Sequence, residues 1–123
     1  MDKRTLLVVD DTPENIDLLV ELLKNQFKVK AARNGQLALR IARSDAPPEL
    51  VLLDLLMPGM DGFAVCHELK KNADTAAIPV ILLSGEIGKE ERRRGDELGC
   101  AAYLTKPVEP SELIATIKRA LTK

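Results

Sequence analysis

The chain has 123 residues, of which 46% are hydrophobic and 30% are charged, and its formal net charge is −1. This length and composition predict one folded domain over residues 1–123 and argue against disorder. The balanced charge and the 2% aromatic content exclude a basic nucleic-acid surface and a platform for stacking bases. No apolar run approaches the roughly 20 residues that cross a bilayer, and acidic residues follow the start too closely for a signal peptide. We therefore expect a cytoplasmic protein that contacts neither nucleic acid nor membrane.

The chain has two cysteines, Cys66 and Cys100, and a single histidine, His67. The cysteines lie far apart in sequence and form no CxxC pair, which is typical of small buried side chains and does not indicate a disulfide. One histidine is too few for a His-based metal cluster, so no zinc site is predicted. We expect His67 to be a solvated residue on a helix.

Strand-like and helix-like segments alternate from the start of the chain. Residues 6–9 (LLVV) predict a first strand, which runs directly into two aspartates. Thr12, with the proline and glutamate after it, is typical of a helix N-cap, and the helix is predicted to continue to about residue 26. Residues 27–32 (FKVKAA) alternate apolar and polar side chains, which predicts a second strand at an edge of the sheet.

The centre of the chain is the most strongly patterned segment. A second helix is predicted from Asn34, and a loop at residues 45–49 contains two prolines. Residues 50–53 (LVLL) then form an unbroken apolar run, which is typical of a strand buried on both faces. This third strand ends at Asp54, and the proline and glycines of residues 58–62 break any regular structure.

The same alternation continues in the second half of the chain. Asp61 opens a third helix, and residues 78–83 (IPVILL) predict a fourth strand that ends at Ser84. Residues 101–105 (AAYLT) predict a fifth strand, which is followed by Lys106 and by a last helix that starts at a proline.

The fourth helix, within residues 88–97, has no large apolar side chain. Because a packed apolar face provides most of the stability of a helix in a protein, we expect this helix to be loosely held. Gly95 is expected to let its backbone approach the sheet. The consecutive Arg92, Arg93 and Arg94 form either a solvated face or a surface for salt links with a partner or a second copy of the chain.

Strict alternation of strands and helices with short connections predicts a parallel sheet covered by helices on both faces. Five strands in a chain of this length favour a doubly wound, flavodoxin-like α/β fold with strand order 2-1-3-4-5 and five helices. The first and third strands are then neighbours at the switch point. We therefore expect Asp10, Asp11 and Asp54 to meet at one edge of the sheet.

Three adjacent carboxylates repel one another unless an opposite charge lies between them. The chain offers Lys106 at the same edge, and oxygen ligands also favour a hard divalent ion such as Mg²⁺ or Mn²⁺. Asp11 and Asp54 are the predicted direct ligands, with Asp10 acting through water or a more distant contact. Together with the Ser84 hydroxyl, these groups indicate a phosphoryl-transfer site.

Four segments at strand ends carry a specific resemblance: VVDD at 8–11, LLDLLMPGMDG at 52–62, LLSG at 82–85 and YLTKP at 103–107. In this order they resemble the receiver domain of a two-component response regulator, and the chain is similar to chemotaxis-type single-domain proteins. The resemblance extends over residues 5–121.

The resemblance implies that Asp54 accepts a phosphoryl group from a phosphohistidine on a sensor histidine kinase or a phosphotransfer protein. It implies that Asp10 and Asp11 hold Mg²⁺ together with Asp54 and the backbone carbonyl of Leu56. It further implies that Lys106 pairs with the phosphoryl oxygens. The expected role is regulatory and not that of an enzyme acting on other substrates, although the domain takes part in its own phosphorylation and dephosphorylation.

The resemblance also implies a switch. The backbone amides of Leu56 and Gly85 would donate to the phosphoryl group, Ser84 would move its hydroxyl toward it, and Tyr103 would change rotamer. The face formed by the fourth helix, fifth strand and fifth helix would then control an output domain, a partner protein or a homodimer.

Small departures from the family pattern concern residues around this site. Gly85 stands where alanine is more usual, and Ala101 stands where an acid is common. We expect Leu56 and Glu86, which flank the phosphorylation site, to tune the lifetime of the phosphoryl group.

Three alternatives share parts of the pattern. A phosphohydrolase of the haloacid dehalogenase type places its two acids two residues apart, whereas Asp10 and Asp11 are adjacent, and the chain has no cap insertion. A flavin carrier would not begin its phosphate loop with two carboxylates. A receiver that binds partners without phosphorylation is disfavoured by the complete set of acids, serine and lysine. The sequence leaves open whether the chain is free-standing or part of a longer protein.

Overall fold

The computed structural model describes residues 3–122, and in this part of the chain five strands alternate with five helices. The strands are β1 (Thr5–Val9), β2 (Lys28–Ala32), β3 (Leu50–Asp54), β4 (Val80–Ser84) and β5 (Ala102–Thr105). The helices are α1 (Pro13–Leu23), α2 (Gly35–Ala42), α3 (Gly62–Lys71), α4 (Lys89–Leu98) and α5 (Pro110–Leu121). The predicted order of elements is confirmed.

The strands form one parallel sheet with the order β2-β1-β3-β4-β5, which confirms the predicted doubly wound topology and the edge position of β2. Successive side chains of a strand point to opposite faces. Leu7 and Val9 therefore pack with α2 and α3, whereas Leu6 and Val8 pack with α1 and α5. All five residues of β3 are buried, as expected for a strand that is covered on both sides.

Several predicted boundaries are wrong by one to three residues. α1 ends at Leu23 instead of about residue 26, and Phe27 is buried in the turn before β2. Thr12 occupies the N-cap position, but its side chain makes no capping hydrogen bond. β4 begins after Pro79, because proline has no backbone N–H to add to the sheet.

None of the helices within residues 3–122 combines the length and the apolarity required to cross a membrane. His67 is exposed over 62% of its side chain, in agreement with the predicted solvated position.

The loop between β3 and α3 is fixed by two glycines. Gly59 has a φ of 75°, a backbone conformation that favours glycine. At Gly62 a Cβ atom would lie 2.7 Å from the backbone oxygen of Asp54 and 2.8 Å from the Cα of Leu55. The start of α3 therefore packs directly on the end of β3, and this contact needs a residue without a side chain.

We predict that Gly62→Ala lowers the free energy of unfolding by about 1–3 kcal/mol, the usual range for overpacking, because the backbone atoms it meets cannot rotate away. Chemical denaturation measures the change. Gly85→Ala is the matched control, since a Cβ there meets no atom within 4 Å. Equal stabilities of the two variants would contradict the close packing at Gly62.

We predict that backbone amides in α4 exchange hydrogen faster than those in α5. Only Gly95 of α4 is buried, whereas α5 buries Leu113, Thr116, Ile117 and Ala120. Local opening is easier where few apolar contacts are lost. Exchange followed by mass spectrometry tests this, and equal protection of the two helices would refute it.

Candidate functional site

The polar residues singled out in the sequence lie at the carboxyl ends of four strands. Asp10 follows β1 and Asp54 ends β3, while Ser84 ends β4 and Lys106 follows β5. Parallel strands place these ends at one edge of the sheet, where doubly wound folds have their ligand sites. The Lys106 amide donates to the Ser84 carbonyl at 2.7 Å, so this backbone hydrogen bond holds Ser84 and Lys106 next to each other.

The three aspartates meet at this edge. Carboxylate oxygens of Asp10, Asp11 and Asp54 all lie within 4.8 Å of one another. Asp10 and Asp54 are buried and Asp11 is exposed. The exposed member leaves the cluster accessible from solvent, and the donor set consists of oxygen only. These properties fit a hard divalent cation such as Mg²⁺.

Lys106 joins the two buried carboxylates. Its Nζ lies 3.0 Å from Oδ2 of Asp10 and 3.3 Å from Oδ1 of Asp54. Burial disfavours the ammonium form, but the hydrogen bond to Asp10 and the charge of Asp54 outweigh it and raise the pKa of Lys106 above its ordinary value. The lysine therefore stays charged and offsets part of the repulsion between the acids.

The ionised form of Asp54 is nevertheless disfavoured. Burial has the largest effect and raises the pKa of its carboxyl group. The charge of Lys106 lowers this pKa and the charge of Asp10 raises it, and the net shift is upward. The amide of Leu56 donates weakly to Oδ1 of Asp54 at 3.4 Å. Leu56 is 73% exposed, so its side chain faces solvent while its amide faces Asp54.

Ser84 is buried but does not contact Asp54 through a hydrogen bond. Its Oγ donates to the carbonyl of Glu86 at 3.0 Å, within the loop after β4. Gly85 is exposed between them and presents no side chain to the site. Ser84 and Gly85 lie at the end of β4, beside the end of β3, as predicted. The Glu86 carbonyl was not predicted as the partner of the Ser84 hydroxyl.

Tyr103 extends from β5 across α4. Its hydroxyl donates to Oδ1 of Asp96 at 2.6 Å, and the carbonyl oxygen of Arg92, a second acceptor, lies 3.0 Å from the same hydroxyl. The guanidinium of Arg92 lies 5.1 Å from the ring centroid. A Cβ at Gly95 would lie 2.5 Å from the Tyr103 hydroxyl, so the expected close approach at this glycine is confirmed and the contact is to the tyrosine.

Sequence reasoning missed Asp96 as the partner of Tyr103. Its only signal was an acid next to a glycine in a charged helix, and such a run is usually solvated. The neighbouring arginines also have contacts within the chain: Arg93 pairs with Glu90 and Glu97 of its own helix, and Arg94 lies 4.1 Å above the ring centroid of Phe63.

These features define a doubly wound α/β protein with an acidic, lysine-containing site at the switch point of its sheet. Residues 6–118 match the family model of the response regulator receiver domain. The chain therefore belongs to the receiver domains of two-component response regulators. This assignment excludes the phosphohydrolase and flavin-carrier alternatives, and the cluster of Asp10, Asp11 and Asp54 fits the phosphorylation and Mg²⁺ binding of the family.

Known relatives include both short and long proteins. The chain is 38% identical over 117 residues to protein PilH of Pseudomonas aeruginosa, covering 94% of this chain and 96% of PilH. It is 42% identical over 119 residues to response regulator PleD of Caulobacter vibrioides, covering 96% of this chain but 26% of PleD. The chain thus spans about a quarter of the length of PleD. The crystal structure of the chemotaxis protein CheY4 of Vibrio cholerae matches with a TM-score of 0.92 at 26% identity, covering 98% of this chain and 100% of CheY4.

We predict that Tyr103 ionises above the ordinary tyrosine pKa of about 10. Burial raises the pKa of the Tyr103 hydroxyl. The hydrogen bond to Asp96 and the negative charge of Asp96 raise this pKa further. Because the folded-state pKa is the higher one, the contribution of the neutral phenol to stability is complete below the unfolded pKa and is lost as pH rises through the folded pKa. Ultraviolet absorbance isolates this residue, since the chain has one tyrosine and no tryptophan.

Asp96→Asn removes the charge and keeps an acceptor, so it is expected to lower the pKa of Tyr103. The denatured chain supplies the unperturbed reference. Identical titrations of the folded chain, the variant and the denatured chain would show that Tyr103 and Asp96 do not interact.

Proposed function

We propose that the chain is the phosphorylation-activated switch of a two-component phosphorelay, with Asp54 as the phosphoacceptor. The observation that carries this proposal is the contact of Lys106 with both Asp10 and Asp54 at the end of a fully buried central strand. The donor is a phosphohistidine on a sensor histidine kinase or a phosphotransfer protein, the partners with which receiver domains interact.

The transfer uses Asp54 as a nucleophile. One of its carboxylate oxygens forms a bond to phosphorus while the bond from phosphorus to the histidine nitrogen breaks. The backbone holds Asp54 in β3, and Lys106 contacts Oδ1 at 3.3 Å, so the nucleophile is positioned before the donor arrives. Lys106 then pairs with the phosphoryl oxygens, which carry the developing charge.

The cation site belongs to the same proposal. Asp10, Asp11 and Asp54, with the backbone carbonyl of Leu56, would hold Mg²⁺, and Mn²⁺ fits the same oxygen donors. When bound there, the ion would supply positive charge that offsets the repulsion between the carboxylates and the phosphoryl group. Lys106 alone cannot neutralise three acids, which is the physical reason for a second cation.

Two backbone amides complete the proposed phosphoryl site. The Leu56 amide already points at Asp54 at 3.4 Å. The Gly85 amide follows Ser84 at the end of β4, and the exposed glycine leaves room for an incoming phosphoryl group. Leu56 and Glu86 flank this opening and are proposed to set how easily water reaches the acyl phosphate.

The switch would exchange hydrogen bonds. Ser84 leaves the Glu86 carbonyl for the new phosphoryl oxygens, and Tyr103 leaves Asp96 for the space vacated by the loop. The weakly packed α4 makes this change possible at small cost. The face of α4, β5 and α5 then changes its surface and controls an output domain, a partner or a second copy of the chain. Any such shift is limited by the difference in phosphoryl contacts between the two states.

We predict that incubation with Mg²⁺ and acetyl phosphate adds one phosphoryl group to the chain and none to Asp54→Asn. The reason is that the amide of asparagine is not a nucleophile of the required kind. Intact mass measures the adduct. Asp45→Asn, which changes an exposed acid in a loop, is the matched control and should be modified like the unaltered chain.

Labelling of Asp54→Asn to the same extent would place the phosphoacceptor elsewhere. Absence of an adduct with acetyl phosphate and with a phosphorylated histidine kinase would favour an interaction module that is not phosphorylated.

We predict that Mg²⁺ stabilises the chain by about 1.4 kcal/mol at ten times its Kd, because it binds the folded state alone. Asp11→Asn should abolish the effect, since it removes the exposed carboxylate of the cluster. Thermal unfolding with and without a chelator measures both. Asp17→Asn, an exposed acid on α1, is the control; stabilisation that survives Asp11→Asn would place the ion elsewhere.

A further inference from the structure

The two cysteines are neighbours in space. Cys66 lies on α3 and Cys100 follows α4, and their Sγ atoms are 3.4 Å apart. Both are free thiols, and their contact was not predicted. Cys66 is fully buried, as predicted, whereas the prediction is wrong for Cys100, which is partly exposed.

A bond between the two sulfurs requires them to approach further. A disulfide has an S–S distance of about 2.05 Å, so the present 3.4 Å contact would have to shorten by about 1.4 Å. Cys100 directly follows Gly99, the C-cap of α4, which has a φ of 85°. It is therefore attached to α4, which buries one residue against five in α3, so we expect the shift to occur at the carboxyl end of α4.

The electrostatic environment favours one thiolate in the pair. The S–H of Cys100 lowers the pKa of Cys66 against the effect of burial, and the charge of Lys70 lowers it further. Lys70 is held on α3 with its ammonium donating to the carbonyls of Ala76 and Ile78. Either sulfur can donate its S–H to the other across the 3.4 Å contact, so the proton can move to Cys66 and leave the thiolate on Cys100, the sulfur that an oxidant reaches. The buried Cys66 is then the thiol that resolves the oxidised Cys100.

We propose that Cys66 and Cys100 form a reversible intramolecular disulfide on exposure to a peroxide, which makes the junction of α3 and α4 a redox modification site. The observation behind the proposal is the direct contact of two thiols from different elements, one buried and one open to solvent. Disulfides in reducing compartments are typically transient and regulatory.

The chemistry balances with hydrogen peroxide as the oxidant. The thiolate of Cys100 attacks one peroxide oxygen and the O–O bond breaks; the leaving hydroxide takes up the proton of the pair, which gives a sulfenic acid on Cys100 and one water. Cys66 then attacks the Cys100 sulfur, the S–O bond breaks and a second water leaves as the disulfide forms. In total, two thiols and one peroxide give one disulfide and two waters, and a dithiol reductant reverses the modification.

The disulfide would clamp the carboxyl end of α4 to α3. Leu98, Cys100 and Tyr103 already pack on the same core cluster as α3. The bond would therefore restrict the helix against which Tyr103 rests. That consequence for signalling rests on the proposed function, whereas formation of the disulfide does not.

The test uses the reduced full chain, titrated with hydrogen peroxide in the absence of a phosphoryl donor. Alkylation under denaturing conditions and intact mass should show the loss of two hydrogen atoms and of both alkylatable thiols, with recovery after dithiothreitol. A peptide digest should contain the Cys66–Cys100 link. Hydrogen exchange in α4 should slow in the oxidised chain.

Cys100→Ser is the first control and should form no intramolecular disulfide. Because Cys66 is wholly buried, Cys66→Ala is checked for folding by circular dichroism, and the hydrogen-exchange result on the unaltered chain is independent of either variant. Two thiols that remain alkylatable, disulfides formed only between chains, or oxidation to sulfinic acid without a link would each overturn the proposal. These readouts need no phosphorylation, so they separate this proposal from the proposed function.

Discussion

The ion pairs of Lys106 with Asp10 and Asp54 are the interaction on which the site depends. Two carboxylates with almost no solvent exposure lie at neighbouring strand ends, and without a cation their charges would be strongly disfavoured. One lysine stabilises the pair but leaves the third acid, Asp11, unmatched. The sheet thus leaves an incomplete charge balance at an open edge, which is what the proposed binding of a cation and a phosphoryl group requires.

In contrast to this buried site, α4 is weakly packed. The helix contributes one buried residue, and its side chains make contacts mainly with one another or with aromatic rings. Tyr103 rests against it through Gly95 and Asp96. The sheet edge with its ion pairs therefore lies beside α4, a helix that loses few buried contacts when it moves. The proposed switch requires this contrast, because a local change in charge at Asp54 would then alter a distant surface.

Most of the site was predictable because strand ends are visible in the sequence. The buried strands read as apolar runs, and the first polar residue after each run falls at the same edge of a parallel sheet. The strand ends alone therefore predict that Asp10, Asp54, Ser84 and Lys106 lie at one edge. Hydrogen-bond partners depend on loop conformation and side-chain rotamers, so the bond from Ser84 to Glu86 and the bond from Tyr103 to Asp96 were not predicted.

Local patterning alone determined the number, order and type of the elements, because apolar periodicity and turn residues act over a few neighbours. The contact between α3 and the carboxyl end of α4 was decided only by the tertiary structure. Whether two helices bring Cys66 and Cys100 into contact depends on the rotation of each helix and the distance between them. Those quantities are set by packing of the whole core, and no short segment of the sequence specifies them.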